Sequence, residues 1–202
     1  MNNSLPLAGA LLALLLTACA GQQPRPAGDA SWEEHSGRLL ALTSWTAKGK
    51  LALRTPELSE SATMNWRQQD GHTRLELSGP LGVNATTLDS DGQTLEVRQG
   101  DETRSLDLSD PLELERLTGW DLPLLALPHW LKGLPAPELA IQGMELGPDP
   151  SLLQSLQQDG WEIRYDQYES FDRLALPTRL HIQRAATSVR LIIRSWQAGP
   201  QQ

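Results

Sequence analysis

The stretch that decides the fold runs from residue 48 to residue 78 and reads KGKLALRTPELSESATMNWRQQDGHTRLELS. Large apolar residues stand at every second position in each of its three segments, as at Leu51 and Leu53, and polar or small residues stand between them. Asp70-Gly71, between the second and third segments, is typical of a hairpin turn. The stretch therefore predicts antiparallel strands with one buried face and one face in water.

The same alternation continues along much of the chain. Apolar positions with this period are Met64 and Trp66, Leu75 and Leu77, Leu95 and Val97, Leu106 and Leu108, followed by the segments 161–165, 178–184 and 189–196. Turn residues separate the runs at Thr55-Pro56, Gly79-Pro80-Leu81-Gly82, Asp91-Gly92 and Gly100-Asp101. Strands at such short and regular spacing predict a meandering sheet that curls towards a barrel.

Helices are predicted at two places. Ser31 followed by Glu34 is a capping-box pattern, so a helix should cover about residues 32–42. Residues 111–119 and 123–131 predict two further short helices, and Pro128 should kink or split the second. The fold class expected is mainly β with α (α+β), an antiparallel sheet that curls towards a barrel and holds short helices across its concave face.

The amino terminus carries an export signal. An uncharged apolar run from Leu5 to Leu16 leads into Leu16-Thr17-Ala18-Cys19 and is too short to span a bilayer as a helix. Residues 1–18 are therefore predicted to be a signal peptide, 19–30 a flexible linker, and 31–202 a single domain. The segment before Cys19 resembles the lipobox of bacterial lipoproteins, which implies lipids on the Cys19 thiol and amine. More than one acyl chain makes a lasting anchor.

Charge and residue spacing exclude several functions. With 17 Lys and Arg against 25 Asp and Glu, the net charge is −8, which argues against nucleic acid and predicts no basic patch for anionic lipid headgroups. The four histidines are scattered and are expected at the surface or at helix ends. No metal motif, nucleophile elbow or phosphate-binding glycine loop occurs in the sequence. We therefore expect no enzyme activity, no cofactor and no metal.

Tryptophan is unusually frequent, with seven in the chain. Two interpretations stay open. Trp45, Trp66, Trp130, Trp161 and Trp196 could simply fill a small core, or they could wall a cavity for an apolar ligand.

One turn carries an unexpected residue. Gly79, Pro80 and Gly82 suit a turn tip, but the large aliphatic Leu81 between them does not. Leu81 could project into a bilayer, where burial of its side chain contributes roughly 1.5 to 3 kcal/mol. It could equally fold back onto the mouth of the barrel.

Taken in order, several short motifs resemble the LolB family of outer-membrane lipoprotein receptors, and the resemblance spans nearly the whole domain that follows the linker. The motifs are Trp45-Thr46-Ala47-Lys48-Gly49-Lys50, Asn65-Trp66-Arg67-Gln68-Gln69, Ser78-Gly79-Pro80-Leu81-Gly82, Leu117-Thr118-Gly119 with Leu122-Pro123, Trp130-Leu131-Lys132-Gly133-Leu134-Pro135, and Gly160-Trp161 with Leu176-Pro177.

The resemblance implies a lipid-anchored protein on the periplasmic side of the outer membrane, which we expect to be a monomer. It implies an incompletely closed antiparallel β-barrel with an acyl-chain cavity under a helical lid. It also implies receipt of lipoproteins from the periplasmic carrier LolA without an energy source, and membrane insertion of the cargo through Leu81, flanked by Pro80 and Gly82. Alternation alone suggests which residues line the cavity: Leu51, Leu53, Met64, Trp66, Leu75, Leu77, Trp130 and Trp161. Two other functions stay open, a structural scaffold that binds no acyl chain and an anchored hydrolase.

Overall fold

The structure is a computed structural model that describes residues 31–79, 85–108 and 123–199. In chain order its elements are α1 (Trp32–Ala41), β1 (Ser44–Arg54), β2 (Ser59–Gln69), β3 (His72–Ser78), β4 (Thr86–Ser90), β5 (Thr94–Gln99), β6 (Glu102–Asp107), α2 (Leu127–Lys132), β7 (Ile141–Leu146), β8 (Leu153–Gln158), β9 (Trp161–Phe171), β10 (Leu174–Arg184) and β11 (Thr187–Ala198).

These strands form one antiparallel sheet in the order β6-β5-β4-β3-β2-β1-β11-β10-β9-β8-β7. Strands β1 to β6 are one meander and β7 to β11 are a second, and the pairing of β1 with β11 joins the two. In the described part of the chain, β6 and β7 are the two edges of the sheet and do not pair with each other. The prediction of an antiparallel, incompletely closed barrel with few short helices is therefore confirmed.

The first helix begins where the sequence predicts. The hydroxyl of Ser31 accepts a hydrogen bond from the backbone N–H of Glu34 at 3.3 Å, which caps the helix amino terminus. His35 of this helix is 1% exposed, so the expectation that each histidine lies at the surface or at a helix end is wrong for this residue. Its neighbours on the buried side of α1 include Leu39.

The second helix is shorter than predicted. It starts at Leu127, so Pro128 lies in its first turn and neither kinks nor splits it. A proline is tolerated there because the first backbone N–H groups of a helix have no partner within the helix. The predicted helix at 111–119 lies outside the described residues. Neither α1 nor α2 is long and apolar enough to cross a membrane.

Strand alternation defines two faces of the sheet. In β1 the odd-numbered residues Trp45, Ala47 and Leu53 are buried, whereas Lys48 and Lys50 are exposed. The buried set faces α1 and α2, and we call this side the inner face. The opposite side, which faces water, is called the outer face.

Candidate functional site

The inner face of the sheet is the candidate site. Of the eight residues predicted to line a cavity, Leu53, Met64, Trp66, Leu75, Leu77, Trp130 and Trp161 are buried in one apolar cluster, and Leu51 is partly buried against it. The alternation in the sequence thus selects the correct face of each of these strands. The structure brings all eight residues to one continuous apolar surface.

The second meander extends this surface with residues that we did not single out from the sequence. Leu156, Ile163, Ile182 and Leu191 are each no more than 1% exposed and lie in the same cluster. Ile163, Ile182 and Leu191 lie in strands that the sequence predicts. The alternation of apolar residues in those strands could therefore have identified them. The apolar surface therefore continues across β1 into the carboxy-terminal half of the sheet.

Tryptophans on β1, β2 and β11 form one aromatic group. The ring centroid of Trp45 lies 6.2 Å from that of Trp66 and 5.2 Å from that of Trp196. The indole N–H of Trp196 donates to the carbonyl oxygen of Pro177 at 2.9 Å. These three rings meet where the two meanders join.

A second aromatic pair links α2 to the sheet. The ring centroids of Trp130 and Trp161 are 6.2 Å apart. The guanidinium carbon of Arg184 lies 4.6 Å from the Trp161 ring centroid, which is a cation–π distance. Arg184 thus covers this end of the interior.

Gln158, at the end of β8, is a polar anchor inside this apolar site and is 0% exposed. Its side-chain oxygen accepts from the Trp130 indole N–H and from the Ala136 backbone N–H, both at 2.8 Å. Its side-chain nitrogen donates to the carbonyl oxygens of Ala136 at 2.9 Å and Leu139 at 2.8 Å. A single amide therefore fixes both α2 and the segment after it against the sheet.

Two further side chains hold α2. The hydroxyl of Tyr165 donates to the Trp130 carbonyl oxygen at 3.0 Å. The ammonium group of Lys132 donates to the carbonyl oxygens of Leu39 and Leu42, each at 3.0 Å. Burial lowers the pKa of Lys132 to about 8 and raises that of Tyr165 well above its ordinary value.

Two buried indole groups keep an unused donor. Within the part of the chain that the structure describes, the indole nitrogens of Trp45 and Trp161 are buried and have no hydrogen-bond partner. A buried donor without a partner costs roughly 1 to 3 kcal/mol. The apolar surface thus carries two positions at which an acceptor atom of a ligand would be stabilised.

Several predicted site residues fall outside the description. Cys19 and the turn residues Pro80, Leu81 and Gly82 lie outside the described residues. Strand β3 ends at Ser78, and Gly79 is the last described residue before Pro80. In the described ranges no group of His, Cys, Asp or Glu side chains is arranged to hold a metal ion.

Comparison with known proteins gives a family match. The model of the family described as "Outer membrane lipoprotein LolB" matches residues 43–196. A protein named outer-membrane lipoprotein LolB from Cellvibrio japonicus is 35% identical over 200 residues, covering 94% of this chain and 96% of its own. Its namesake from Alkalilimnicola ehrlichii is 37% identical, covering 96% of this chain and 97% of its own.

Solved structures share the fold at low sequence identity. A LolA superfamily protein from Nitrosomonas europaea superposes with a TM-score of 0.52 at 13% identity, covering 85% of this chain and 93% of that one. A putative outer-membrane lipoprotein-sorting protein domain from Vibrio parahaemolyticus has a TM-score of 0.52 at 10% identity, covering 82% of this chain and 91% of that one. At these identities the likeness concerns the fold alone.

Proposed function

The chain belongs to the LolB family of outer-membrane lipoproteins, and we propose that it receives lipoproteins by sheltering their acyl chains on the inner face of its open sheet. Membership of this family gives it a role in lipoprotein localisation at the outer membrane, not an enzymatic one. The observation that carries the finer proposal is the continuous apolar inner face of a sheet whose edge strands, β6 and β7, do not pair with each other in the described part of the chain.

The energy of exposed hydrocarbon explains why such a surface is needed. Releasing one 16-carbon chain into water costs on the order of 12 kcal/mol at roughly 0.8 kcal/mol per methylene. Lipoproteins carry several chains, so they cannot diffuse freely between membranes. A protein that hands them over must keep the chains covered throughout.

The side chains of the interior suit such a guest. At rest the apolar surface is closed by its own large residues, so an entering chain has to displace some of them. Met64 is unbranched and adaptable, which makes it suited to repacking. The unpaired indole N–H groups of Trp45 and Trp161 would donate hydrogen bonds to the ester or amide carbonyl oxygens that join acyl chains to a lipoprotein.

The donor in this proposal is the periplasmic carrier LolA, which would pass its cargo by direct contact. A solved LolA superfamily protein has the same fold, so two half-open sheets could meet with their apolar faces continuous. The transfer uses no energy source, and it runs downhill only if each acceptor binds the acyl chains better than its donor. The receptor works as a monomer in this scheme.

The last acceptor is the inner leaflet of the outer membrane. Lipids on Cys19 would hold the protein there, facing the periplasm, because several acyl chains make a durable anchor. Leu81, between Pro80 and Gly82, would enter the bilayer and bring the open sheet close to lipid. The cargo chains could then leave the protein without crossing water.

Transfer of a radiolabelled lipoprotein tests the proposal. The label is loaded on the carrier, mixed with the lipid-free Cys19→Ala chain, and then offered to liposomes. The label should move to this protein and then to the liposomes without added nucleotide. Label that never leaves the carrier would contradict receipt, and a structural scaffold would then be the better account.

A direct measurement of acyl binding separates receipt from delivery. A polyene fatty acid that absorbs tryptophan emission should quench the fluorescence of Trp45 and of the tryptophans near it when it enters the interior. Unlabelled fatty acid should reverse this quenching by competition. An absence of quenching at any fatty acid concentration would show that the interior admits no acyl chain.

A further inference from the structure

Positive charge is concentrated in the three central strands of the sheet. Of the 17 Lys and Arg residues in this acidic chain, seven lie in β1, β10 and β11, and none of the 25 Asp and Glu residues do. Six of the seven are exposed: Lys48, Lys50, Arg54, Arg179, Arg190 and Arg194. We call these six residues the basic strip.

The register of the sheet places these side chains next to one another on the outer face. Lys50 on β1 is opposite Ile192 on β11, which is opposite Arg179 on β10. Arg190 stands two residues from Ile192 along β11 and is opposite His181. The cations thus come from both meanders and meet only because β1 pairs with β11.

The charges of the basic strip are not neutralised by ion pairs within the part of the chain that the structure describes. In the described ranges none of its six residues forms an ion pair with an acidic side chain. By contrast, Arg74 on β3 pairs with Asp89 at 3.1 Å, and Arg104 on β6 pairs with Glu102 at 2.9 Å. The acidic excess of the molecule therefore lies elsewhere, and the strip keeps a positive potential.

A polar groove lies at one end of the strip. It has a volume of about 490 Å³, and its lining includes Arg54, His181 and Arg190, with Glu60 as its one acidic residue. Burial, followed by the positive charges of Arg190 and Arg164, lowers the pKa of His181. This groove is of a size and charge to take an anionic headgroup.

An apolar side chain interrupts the cations. Ile192 is 45% exposed and lies between Lys50 and Arg179 across the sheet. Positive side chains around an exposed aliphatic group suit the boundary between headgroups and acyl chains. A partner with a purely polar, charged surface would leave Ile192 without a matching contact.

The direction of the strands points to the membrane as the occupant. Strands β1 and β3 run parallel because both are antiparallel to β2. Arg54, at the end of β1, and Ser78, at the end of β3, therefore leave the sheet at the same end. Leu81 follows Ser78 by three residues in the sequence, so a membrane that receives Leu81 would lie at the end of the sheet where Arg54 is found.

We propose that the basic strip binds anionic phospholipid headgroups and orients the protein on the membrane surface. This inference rests on the proposed insertion of Leu81 and goes beyond cargo transfer, because it needs no lipoprotein. It also corrects the prediction from the sequence that the protein has no basic patch. Net charge and neighbouring residues could not reveal a strip assembled from residues 48–54 and 179–194.

Vesicle binding without cargo tests the strip. The Cys19→Ala chain is mixed with vesicles of phosphatidylcholine containing phosphatidylglycerol, and with vesicles of phosphatidylcholine alone. It should sediment with the anionic vesicles only, and salt should release it. The triple variant Lys50→Gln, Arg190→Gln, Arg194→Gln should bind anionic vesicles roughly 100-fold more weakly, which corresponds to about 1 kcal/mol for each of the three cations at the surface.

The matched control is Arg74→Gln, Arg98→Gln, Arg104→Gln, which removes the same charge from paired positions on β3, β5 and β6. It should bind anionic vesicles as the parent chain does.

An equal loss of vesicle binding in both triple variants would mean that only net charge matters, and this result would overturn the proposal. If the strip variant binds vesicles normally but receives lipoprotein slowly from the carrier, the strip docks the carrier instead. If the parent chain binds anionic vesicles but transfers no cargo, that result would count against the proposed function and not against the strip.

Discussion

The ammonium nitrogen of Lys132 lies 3.0 Å from the carbonyl oxygen of Leu39, so a side chain of α2 caps the carboxy-terminal end of α1. The last carbonyl groups of a helix have no partner within the helix, and a cation there also offsets the negative end of the helix dipole. The two helices are thereby joined over the inner face. This contact buries the lysine, because Lys132 is only 6% exposed.

This capping lysine predicts a pH dependence of stability. Burial lowers the pKa of Lys132 from 10.5 to about 8 in the folded state, so between these values the unfolded chain binds more protons. Unfolding then takes up a proton and becomes less favourable as pH rises. The free energy of unfolding of the parent chain, relative to Lys132→Met, should increase from pH 8 to pH 10.5.

Urea titrations of the two chains at a series of pH values check this, and Lys50→Met controls for the loss of one exposed charge. A difference that stays constant, or falls, over this range would show that Lys132 is not desolvated in the folded protein.

Gln158 should be among the polar residues most important for stability. Gln158→Leu leaves four buried backbone and indole groups without partners, each costing about 1 to 3 kcal/mol. The free energy of unfolding should fall by about 3 kcal/mol or more in urea titrations followed by tryptophan fluorescence. Gln157→Leu, at the exposed neighbouring position, should change it by less than about 0.5 kcal/mol. Similar losses in both variants would refute the anchoring role.

Gly49 marks the place where β1 and β11 approach too closely for a side chain. A Cβ atom there would lie 2.1 Å from the backbone oxygen of Ile192, beside the bulge between Lys48 and Gly49. Gly49→Ala should therefore displace backbone and lower the melting temperature by several degrees or more. Gly37→Ala, on the exposed side of α1 with open space around it, should instead stabilise by up to about 1 kcal/mol. Equal melting temperatures for the parent and Gly49→Ala would contradict the observed register.

Sequence reasoning found the strands whose alternation is unbroken and missed those whose alternation is interrupted. Strand β7 has register shifts between Ile141 and Gly143 and between Glu145 and Leu146, so its apolar residues do not follow a period of two. Strand β4 has one large apolar residue, Leu88, and offers almost no pattern. Bulges and short strands remove the periodic signal on which the prediction depends.

For the candidate site, alternation in the sequence selects the buried face of the sheet, where Trp66 and Leu75 lie. That these residues contact an acyl chain stays a prediction. Alternation cannot select Gln158, because a glutamine on an inner face looks like a surface residue until its partners are known. The same holds for the basic strip, because its two groups of residues, 48–54 and 179–194, are more than 120 residues apart in the sequence and meet only through the pairing of β1 with β11.

Lipidation should be dispensable for folding and for receipt of cargo. The buried apolar core is formed by side chains from Leu39 to Trp196, well after Cys19 in the sequence, so Cys19→Ala, exported by another signal, should give the same circular dichroism spectrum and melting temperature as the domain in the parent protein. It should still take radiolabelled lipoprotein from the carrier. An unfolded product would show instead that the lipids are structural.

Leu81 should separate receipt of cargo from its delivery. A carboxylate enters hydrocarbon only at a cost of several kcal/mol, whereas a leucine gains roughly 1.5 to 3 kcal/mol there. Leu81→Glu should therefore accept lipoprotein from the carrier at the parent rate and release little of it into liposomes. Leu81→Met, which keeps an apolar side chain of similar volume, should deliver normally.

The measurement for both Leu81 variants is the fraction of label in carrier, receptor and liposomes over time. Delivery by Leu81→Glu at the parent rate would remove Leu81 from the mechanism. A failure to accept cargo would place Leu81 at the contact with the carrier, because the exchanged side chain could then act only before the membrane is reached.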